Sequence, residues 1–450
     1  MGDLASIVKA YDIRGVVPDQ LDEGVAEAVG AAFARVTGAE TIVTMHDMRT
    51  SSGPLAEAFG RGVAAQGADV LAGGLASTDM LYYASGDLGI PGAMITASHN
   101  PSRYNGIKLC RAGARPVGIA TGLAEIKDLA ERALDPAPVP GTVTRRDLLP
   151  GYAEHLRKLV DISSVRPLTV AVDAGNGMAG HTVPKVFDGL PVTLIPLYFD
   201  LDGTFPNHEA NPIDPENLRD LQAAVTEHHA DIGLAFDGDA DRCFVVDERA
   251  GIVSPSALTA LIAVRELARE PGAAIIHNLI TSRAVPEIIS EHGGTPVRTR
   301  VGHSFIKARM AETGAVFGGE HSGHFYFRDF WFADSGMLAA LHVLAALGSQ
   351  AAPLSQLLDS YCRYVATGEI NSEVSDVGAT TREVRRAFAA RPGVTLDDLD
   401  GLTVSGGGWW FNLRPSNTEP LLRLNVEAAD EATLAALRDE VLGIVRGGAD

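Results

Sequence analysis

A pattern of strand, polar loop, helix and strand occurs three times along the chain, and this repetition limits the possible folds more than any other feature. Three apolar runs predict buried strands, each followed by a polar loop, a helical pattern and a second strand; they are TIVTM (41–45), LTVAVD (168–173) and AAIIH (273–277). Such units are typical of α/β folds. Because the units lie roughly a hundred residues apart, we predict three related α/β domains.

The end of the chain follows a different pattern. After Gly368, a strand–loop–strand segment precedes a helix with apolar residues at helical spacing, namely Leu434, Leu437, Val441 and Ile444. The Pro-rich run 135–143 predicts a linker, and residues 248–256 predict a second boundary. We therefore expect an α/β fold class, with three related mixed-sheet α/β domains and a smaller C-terminal α+β domain, over 1–143, 144–250, 251–366 and 367–450.

Charge and cysteine content restrict the partners. The net charge of −20 disfavours nucleic acid. The cysteines lie far apart and form no C-x-x-C, which argues against a disulfide framework or a zinc site; they are Cys110, Cys243 and Cys362. The sequence contains no signal-peptide pattern and no apolar run long enough to span a membrane. We expect a cytoplasmic monomer or weak dimer that binds small molecules, not membranes.

The strongest local signal is DIGLAFDGDADRCFVVDE (231–248), in which two apolar strands flank Asp237, Asp239 and Asp241. Closely spaced carboxylates repel one another unless a cation lies between them. Ligands that are all oxygen suit a hard cation such as Mg²⁺. The alternative is an acidic hairpin turn without a ligand. We interpret the run as a magnesium site and Arg242 as a cation directed at a neighbouring phosphate.

A rival interpretation comes from GNGMAG (175–180), which fits G-x-G-x-x-G after a strand and before a helix. This pattern is typical of a dinucleotide-binding turn and makes an NAD-dependent dehydrogenase the alternative from a different enzyme class. The motif lies in the second of three similar units, however, and no adjacent residue suggests hydride chemistry. A structural tight turn explains the glycines equally well.

Three further loops are rich in polar groups. ITASHNPSRYNGIK (95–108) places Ser98 and His99 after an apolar strand, either as part of a turn-rich loop or with Ser98 as a nucleophile. GGEHSGH (318–324) offers Glu320 and Ser322 on one face, as a flexible loop or as a clamp for sugar hydroxyls.

The last of these three polar loops, RPSNTEP (414–420), joins two strands. It offers the donors of a phosphate cradle, namely Arg414, Ser416, Asn417, Thr418 and the later Arg423. A plain hairpin would more often use Asn-Gly. A nucleophile, a metal site, a hydroxyl clamp and a phosphate cradle together indicate phosphoryl transfer on a phosphosugar.

The motifs TASHNP (96–101), DGDADR (237–242), GEHSGH (319–324) and RPSNTEP (414–420), with KAYDIRG (9–15), resemble those of the α-D-phosphohexomutase family. The resemblance covers the whole chain in order and is strongest to the bacterial phosphomannomutase/phosphoglucomutase group. It implies four domains around a central cleft. It also implies that Ser98 carries the transferred phosphoryl group and completes the Mg²⁺ shell with the three aspartates.

The resemblance assigns further roles residue by residue. Lys108 is the expected general acid/base, with His303 as a second acid/base candidate or substrate contact. Catalytic support is expected from His99, Arg14 and Arg242, and substrate binding from Tyr11 with Glu320, Ser322, Arg414, Ser416, Asn417, Thr418 and Arg423. A hinge for the fourth domain is expected at 366–368.

The implied reaction interconverts mannose 1-phosphate and mannose 6-phosphate, and also glucose phosphates, with a hexose 1,6-bisphosphate as intermediate and activator. His321 favours this substrate over glucosamine phosphates, since that group usually has Gln at this position. Ile280 departs from the family pattern, in which a basic residue is usual, and Arg283 could supply the missing phosphate contact. A phosphoglucosamine mutase, a phosphoglucose mutase and a non-enzymatic sugar-phosphate sensor are the alternatives.

Overall fold

The computed structural model describes residues 4–415 and 421–447, apart from the side chains of His303 and Ser304. These residues form four sheets, one in each of four domains. The first three carry helices around mixed sheets, and the fourth is smaller and antiparallel. The predicted fold class is therefore confirmed. Within the described residues, no helix is both long and apolar enough to cross a membrane.

The first domain has strands β1 (Ile13–Val16), β2 (Thr41–His46), β3 (Asp69–Leu75), β4 (Gly92–Ile95), β5 (Tyr104–Arg111), β6 (Arg115–Pro116) and β7 (Val143–Arg145). Its helices are α1 (Leu4–Ile7), α2 (Glu23–Thr37), α3 (Ser52–Ala65), α4 (Thr78–Leu88) and α5 (Leu123–Ala130), with a 3-10 turn at Ile119–Thr121. The strand order is β1-β5-β4-β2-β3-β7, and β6 pairs with β5. Strands β4, β2, β3 and β7 are parallel, whereas β5 is antiparallel to β1 and β4.

The second domain has helices α6 (Leu149–Leu159), α7 (Ala179–Phe187) and α8 (Arg219–Glu227), and a 3-10 turn at Pro215–Leu218. Its strands are β8 (Leu168–Asp173), β9 (Val192–Leu197), β10 (Ile232–Phe236), β11 (Cys243–Asp247) and β12 (Ile252–Val253). The order is β12-β11-β10-β8-β9. The two strands predicted on either side of the aspartates, β10 and β11, pair antiparallel.

The third domain has helices α9 (Pro255–Arg269), α10 (Ala284–Glu291), α11 (His303–Thr313), α12 (Gly336–Gly348) and α13 (Leu354–Leu358), and a 3-10 turn at Arg328–Phe330. Its strands are β13 (Ala274–Asn278), β14 (Thr295–Thr299), β15 (Phe317–Gly319), β16 (Phe325–Phe327) and β17 (Ala333–Asp334). The order β14-β13-β15-β16-β17 ends in two antiparallel strands.

The fourth domain has strands β18 (Val365–Glu373), β19 (Thr395–Asp397), β20 (Leu402–Gly406), β21 (Trp409–Pro415) and β22 (Leu421–Ala428), packed against helices α14 (Val377–Ala389) and α15 (Glu431–Gly447). The order is β18-β22-β21-β20-β19, and every pairing is antiparallel.

Local sequence explains where key helices begin and end. The Asp22 side chain accepts a hydrogen bond from Val25 N at the start of α2, which ends at Gly38 with a left-handed φ of 59°. The Ser335 side chain caps α12 in the same way, by accepting a hydrogen bond from Leu338 N. Every residue of α12 is buried, so this helix lies at the centre of the molecule.

One large apolar core extends through the first three domains, and the first domain has a second cluster of its own; the fourth domain contributes to neither and has a separate core between its sheet and its helices. A domain with a separate core can change its position without exposing the core of its neighbours. Between the third and fourth domains, the apolar contacts of Trp410 with Leu279 and Ile280 form only a small cluster. The fold therefore suits movement of the fourth domain.

Candidate active site

The polar loops selected from the sequence meet where strands of the first three domains end. Ser98 follows β4, the three aspartates follow β10, and Glu320 follows β15. Carboxyl ends of parallel strands are the usual position for ligand sites in α/β sheets. The loops enclose a cavity of about 130 Å³ whose lining includes Tyr11, Arg14, Ser98, Lys108, Asp241, Arg242, His324 and Asp334.

Ser98 is held in a left-handed conformation, with φ of 51°. Its hydroxyl donates to Asp237 Oδ2 at 2.7 Å and lies 3.3 Å from His99 Nδ1. Its amide donates to Thr96 Oγ1 at 2.9 Å. Since a left-handed conformation is costly for serine, its surroundings must impose it.

Arg49 supplies much of that constraint, and sequence patterns did not single it out. Its guanidinium donates to the carbonyl oxygens of Ser98 and Asn100 at 2.8 and 2.6 Å. It also donates to the carbonyls of Pro101 and Tyr104, at 3.0 Å each. One side chain thus fixes four backbone carbonyls of the serine loop.

Asp47 completes this arrangement. It lies 3.2 Å from Arg49 Nε and accepts from the hydroxyls of Thr96 and Ser52, at 2.7 and 2.5 Å. Both members of the ion pair are buried, and the cost is offset by the hydroxyl donors to Asp47 and by the four carbonyls that accept from Arg49. The only sequence signal for the pair was its place in the polar loop after β2, equivalent to the loops after β8 and β13.

The three aspartates have the geometry of a hard-cation site. Oxygen atoms from Asp237, Asp239 and Asp241 lie within 4.8 Å of one another, and all three residues are buried. In the described part of the chain, Asp239 Oδ1 and Asp241 Oδ1 are buried yet form no hydrogen bond. Orphaned carboxylate oxygens in an all-oxygen set fit a divalent cation such as Mg²⁺.

Lys108 and Arg242 supply positive charge around this cluster. Lys108 Nζ donates to Asp239 Oδ2 at 2.6 Å and to Asp241 Oδ2 at 2.7 Å. Arg242 Nε lies 3.4 Å from Asp237 Oδ2. Burial opposes the charged form of Lys108, but the two carboxylates outweigh it and raise the pKa of the lysine. Lys108 therefore holds a proton at the wall of the cavity.

The carboxyl groups respond unequally to this environment. Burial and the neighbouring carboxylates Asp241 and Asp239 raise the pKa of Asp237. Burial also acts on Asp239 and Asp241, but the Lys108 ammonium overcomes it and the pKa of each is lowered. Without a cation, Asp237 is therefore the carboxyl of the three that protonates most easily.

His99 and Arg14 also lie close to the serine loop. His99 Nδ1 lies 3.0 Å from Arg242 Nη2, and the pKa of His99 is lowered by Arg242, by burial and by Arg14. Arg14 pairs with Asp12 at 2.6 Å and donates to the Asn100 side chain. A neutral imidazole thus lies beside the Ser98 hydroxyl, and the Arg14 and Arg242 guanidinium groups line the same cavity.

The loop after β15 forms a compact polar network. Glu320 is 2% exposed and accepts from the Tyr326 hydroxyl at 2.7 Å and from Gly302 N at 3.1 Å. The Ser322 hydroxyl lies 2.9 Å from His324 Nδ1. Glu320 and Ser322 are therefore oriented by protein partners. Burial, together with nearby arginines and His324, lowers the pKa of His321 to about 3, so it is neutral.

The fourth domain brings two of its predicted residues together. Arg414 and Arg423 lie directly opposite each other in the β21–β22 pair. Ser416, Asn417 and Thr418 lie outside the described residues, as does the side chain of His303, which begins α11. Arg283, the candidate for an added phosphate contact, instead pairs with Glu287 at 3.3 Å and stacks on Tyr364.

A buried network behind the aspartates was also missed by sequence patterns. Thr78 donates to Asp239 twice, from its hydroxyl to Oδ2 at 2.6 Å and from its amide to the carbonyl at 2.9 Å. The adjacent Asp79 accepts hydrogen bonds from Ser77, Tyr152 and Ser335 at 2.5–2.7 Å. These contacts join the aspartate loop to α4, α6 and the start of α12.

The glycines of GNGMAG are explained by close backbone packing. A Cβ at Gly177 would lie 2.8 Å from the Gly238 carbonyl oxygen, and one at Gly180 would lie 2.3 Å from that of Phe199. Gly175 has a left-handed φ of 51°. Because the turn packs against the aspartate loop, its glycines do not need a nucleotide to explain them.

Comparison with known proteins gives one consistent match over the whole chain. Family models for phosphoglucomutase/phosphomannomutase match as alpha/beta/alpha domains I, II and III and as the C-terminal domain, over residues 5–135, 150–251, 254–364 and 369–444.

Similar proteins carry related names. The chain is 40% identical to a phosphomannomutase of Escherichia coli, covering 97% of this chain and 98% of that protein. It is also 40% identical to phosphohexose mutases of Xanthomonas campestris pv. campestris, covering 98% and 99%. The crystal structure of a phosphoglucomutase/phosphomannomutase family protein from Burkholderia thailandensis superposes with a TM-score of 0.89 at 34% identity, covering 100% and 99%.

Proposed function

Because the chain belongs to the α-D-phosphohexomutase family and is a phosphomutase enzyme, we propose that it interconverts mannose 1-phosphate and mannose 6-phosphate through phosphorylated Ser98. Glucose phosphates are proposed as further substrates. The observation that carries the proposal is the position of the Ser98 hydroxyl, 2.7 Å from Asp237 in a cavity that also contains Lys108 and Arg242. A nucleophile beside buried carboxylates and fixed cations suits phosphoryl transfer.

The residues around Ser98 divide into three roles. Lys108 is the general acid/base for the sugar oxygens: deprotonated, it accepts the proton of O6 as O6 attacks, and it then gives a proton to O1 as the phosphoryl group leaves. Arg14 and Arg242 neutralise charge on the transferred phosphoryl group, and the neutral His99 helps to orient it. The aspartates would hold Mg²⁺ together with an oxygen of phosphoserine 98, and the ion would supply charge neutralisation at the phosphoryl oxygens.

The substrate would be held at both ends. Arg414 and Arg423 bind its phosphate, while Glu320 and Ser322 bind two neighbouring hydroxyls of the sugar ring. Phosphoserine 98 then phosphorylates O6 of mannose 1-phosphate, and the bisphosphate turns around in the cleft. Ser98 takes back the phosphoryl group from O1, and mannose 6-phosphate leaves. The bisphosphate also primes an enzyme whose Ser98 lacks phosphate.

The turning step needs the fourth domain to open. We place its hinge at 366–368, where Gly368 has a φ of 69° and the β18–β22 register shifts between Ala366 and Glu369. The separate core of the fourth domain supports this assignment.

Phosphorus NMR tests the proposal directly. The full chain is mixed with Mg²⁺, mannose 1-phosphate and a trace of glucose 1,6-bisphosphate, with glucose 1-phosphate and glucosamine 1-phosphate run in parallel. We expect the 6-phosphate resonance to grow fastest from mannose 1-phosphate. Conversion only of glucosamine 1-phosphate would contradict the substrate assignment, and no conversion of any of the three would contradict the activity.

A further inference from the structure

The two arginines of the fourth domain share one internal carboxylate. Arg414 Nη2 lies 2.7 Å from Glu369 Oε2, and Arg423 Nη1 lies 3.4 Å from Glu369 Oε1. Each carboxylate oxygen therefore faces a different guanidinium. In the proposed function, a substrate phosphate would occupy a position beside the same two groups.

The pairing of the strands brings these three side chains together. Glu369 lies opposite Asn425 in the β18–β22 pair, and Arg423 lies two residues from Asn425 on the same strand. Because side chains alternate between the faces of a sheet, Glu369, Arg423 and Arg414 project from one face. The opposite face, with Leu422 and Leu424, packs in the domain core.

The arginines retain donors beyond this contact. The Nε atoms of Arg414 and Arg423 are buried and donate no hydrogen bond to any described residue. The side chain of Arg414 is only 11% exposed, so its charge is poorly screened by solvent. A single carboxylate thus leaves the pair with surplus positive charge and unused donors, which a phosphate can use.

Glu369 also lies at the edge of the proposed hinge. It follows Gly368 directly, at the register shift between Ala366 and Glu369. Thr367 Oγ1 accepts from Val426 N at 3.2 Å within the interrupted part of the ladder. Glu369 stays paired with the strand that carries Arg423, so a rotation at this bulge would move the carboxylate and both arginines together.

We propose that Glu369 is an internal counter-anion of the phosphate cradle, a positioning residue that competes with the substrate phosphate for Arg414 and Arg423. The inference rests on the proposed function, because it assumes that these arginines bind phosphate. The carboxylate holds the guanidinium groups in place when the cradle is empty, and it weakens phosphate binding enough for release. A mutase whose bisphosphate must leave the cradle, turn around in the cleft and bind the cradle again needs such release in every cycle.

The test compares Glu369→Gln with the unmodified chain and with Glu383→Gln. Glu383 is an exposed residue of α14, a helix that packs on the apolar face of the sheet, so its substitution makes the same charge change away from the arginines. The dissociation constant of inorganic phosphate is measured by isothermal titration calorimetry at fixed ionic strength. We expect Glu369→Gln to bind phosphate about fivefold to tenfold more tightly, with Glu383→Gln unchanged.

A second substitution tests whether the tighter phosphate binding of Glu369→Gln arises at the cradle. In Glu369→Gln/Arg423→Gln the tighter binding should disappear, since only one of the two guanidinium groups remains. The inference would be overturned if Glu369→Gln bound phosphate no more tightly than the unmodified chain does. Failure of the proposed mutase activity would instead appear as absent turnover in the phosphorus NMR experiment, with the phosphate comparison unaffected.

Discussion

Substitution of Arg49 by lysine tests how the serine loop is held. The change keeps the positive charge beside Asp47 but replaces a planar group that donates to four carbonyl oxygens. An ammonium on a single nitrogen can satisfy only some of these acceptors and the Asp47 carboxylate together. The structure therefore predicts that at least two carbonyls of the serine loop lose their partner, at buried or partly buried positions.

The expected magnitude follows from that count. An unsatisfied buried polar group costs about 1–3 kcal/mol, so two of them cost about 2–6 kcal/mol of folding free energy. Since each kcal/mol lowers the unfolding midpoint of a domain of 150–250 residues by roughly 2–4 °C, the midpoint should fall by at least about 4 °C. Ser98 would also lose its fixed position, and displacement of a reacting group by about 1 Å costs roughly 100-fold in rate.

The matched control is Arg61→Lys. Arg61 also pairs with two carboxylates, Glu23 and Glu27, but all three side chains are about half exposed. Loss of such a surface pair costs at most about 1 kcal/mol. Thermal unfolding by circular dichroism and the mutase rate are measured for both variants. If Arg49→Lys matched Arg61→Lys in midpoint and rate, the role of Arg49 in holding the loop would be refuted.

Three further outcomes are expected. Asp239→Asn should lower Mg²⁺-dependent turnover by roughly 100-fold or more, and unchanged turnover at saturating Mg²⁺ would contradict the metal assignment. Glu320→Gln should raise KM for the hexose phosphate about tenfold through a weakened hydroxyl contact, whereas an unchanged KM would exclude Glu320 from substrate binding. Burial raises the pKa of Asp79 to about 6 against its hydrogen bonds from Ser335, Ser77 and Tyr152, so the folded protein binds the proton more tightly than the unfolded chain. Its contribution to stability is complete below about pH 4 and is lost as pH rises through about 6, a change of about 3 kcal/mol. Denaturant unfolding between those pH values should show this loss in the unmodified chain but not in Asp79→Asn, and equal pH slopes would refute it.

The sequence predicted the parts of the fold whose signal is local. Strands β2, β8 and β13 are continuous apolar runs between polar loops, and they form as expected. The edge strand β7 has only exposed residues and no apolar pattern, and it follows a Pro-rich segment. Its pairing with β3 could therefore not be predicted from the sequence. The strand order of the first sheet could not be predicted either, because it depends on pairing between strands that lie far apart in the sequence.

The same distinction applies to the site. Asp237, Asp239 and Asp241 stand in one run, so their chemistry could be read from spacing alone. Arg49 acts through the carbonyls of residues about fifty positions away, and Glu369 meets Arg414 and Arg423 only through the antiparallel pairing of three strands. Such contacts leave no periodicity or motif in the sequence.

The central claim is that Ser98 carries the phosphoryl group, and mass spectrometry tests it most directly. The full chain is incubated with Mg²⁺ and glucose 1,6-bisphosphate, and its peptides are mapped beside those of Ser98→Ala. We predict the added mass of one phosphoryl group on the peptide containing Ser98, its loss on addition of mannose 1-phosphate, and no such modification in Ser98→Ala. Full turnover by Ser98→Ala, or a phosphoryl group on another residue that exchanges with substrate, would contradict the account.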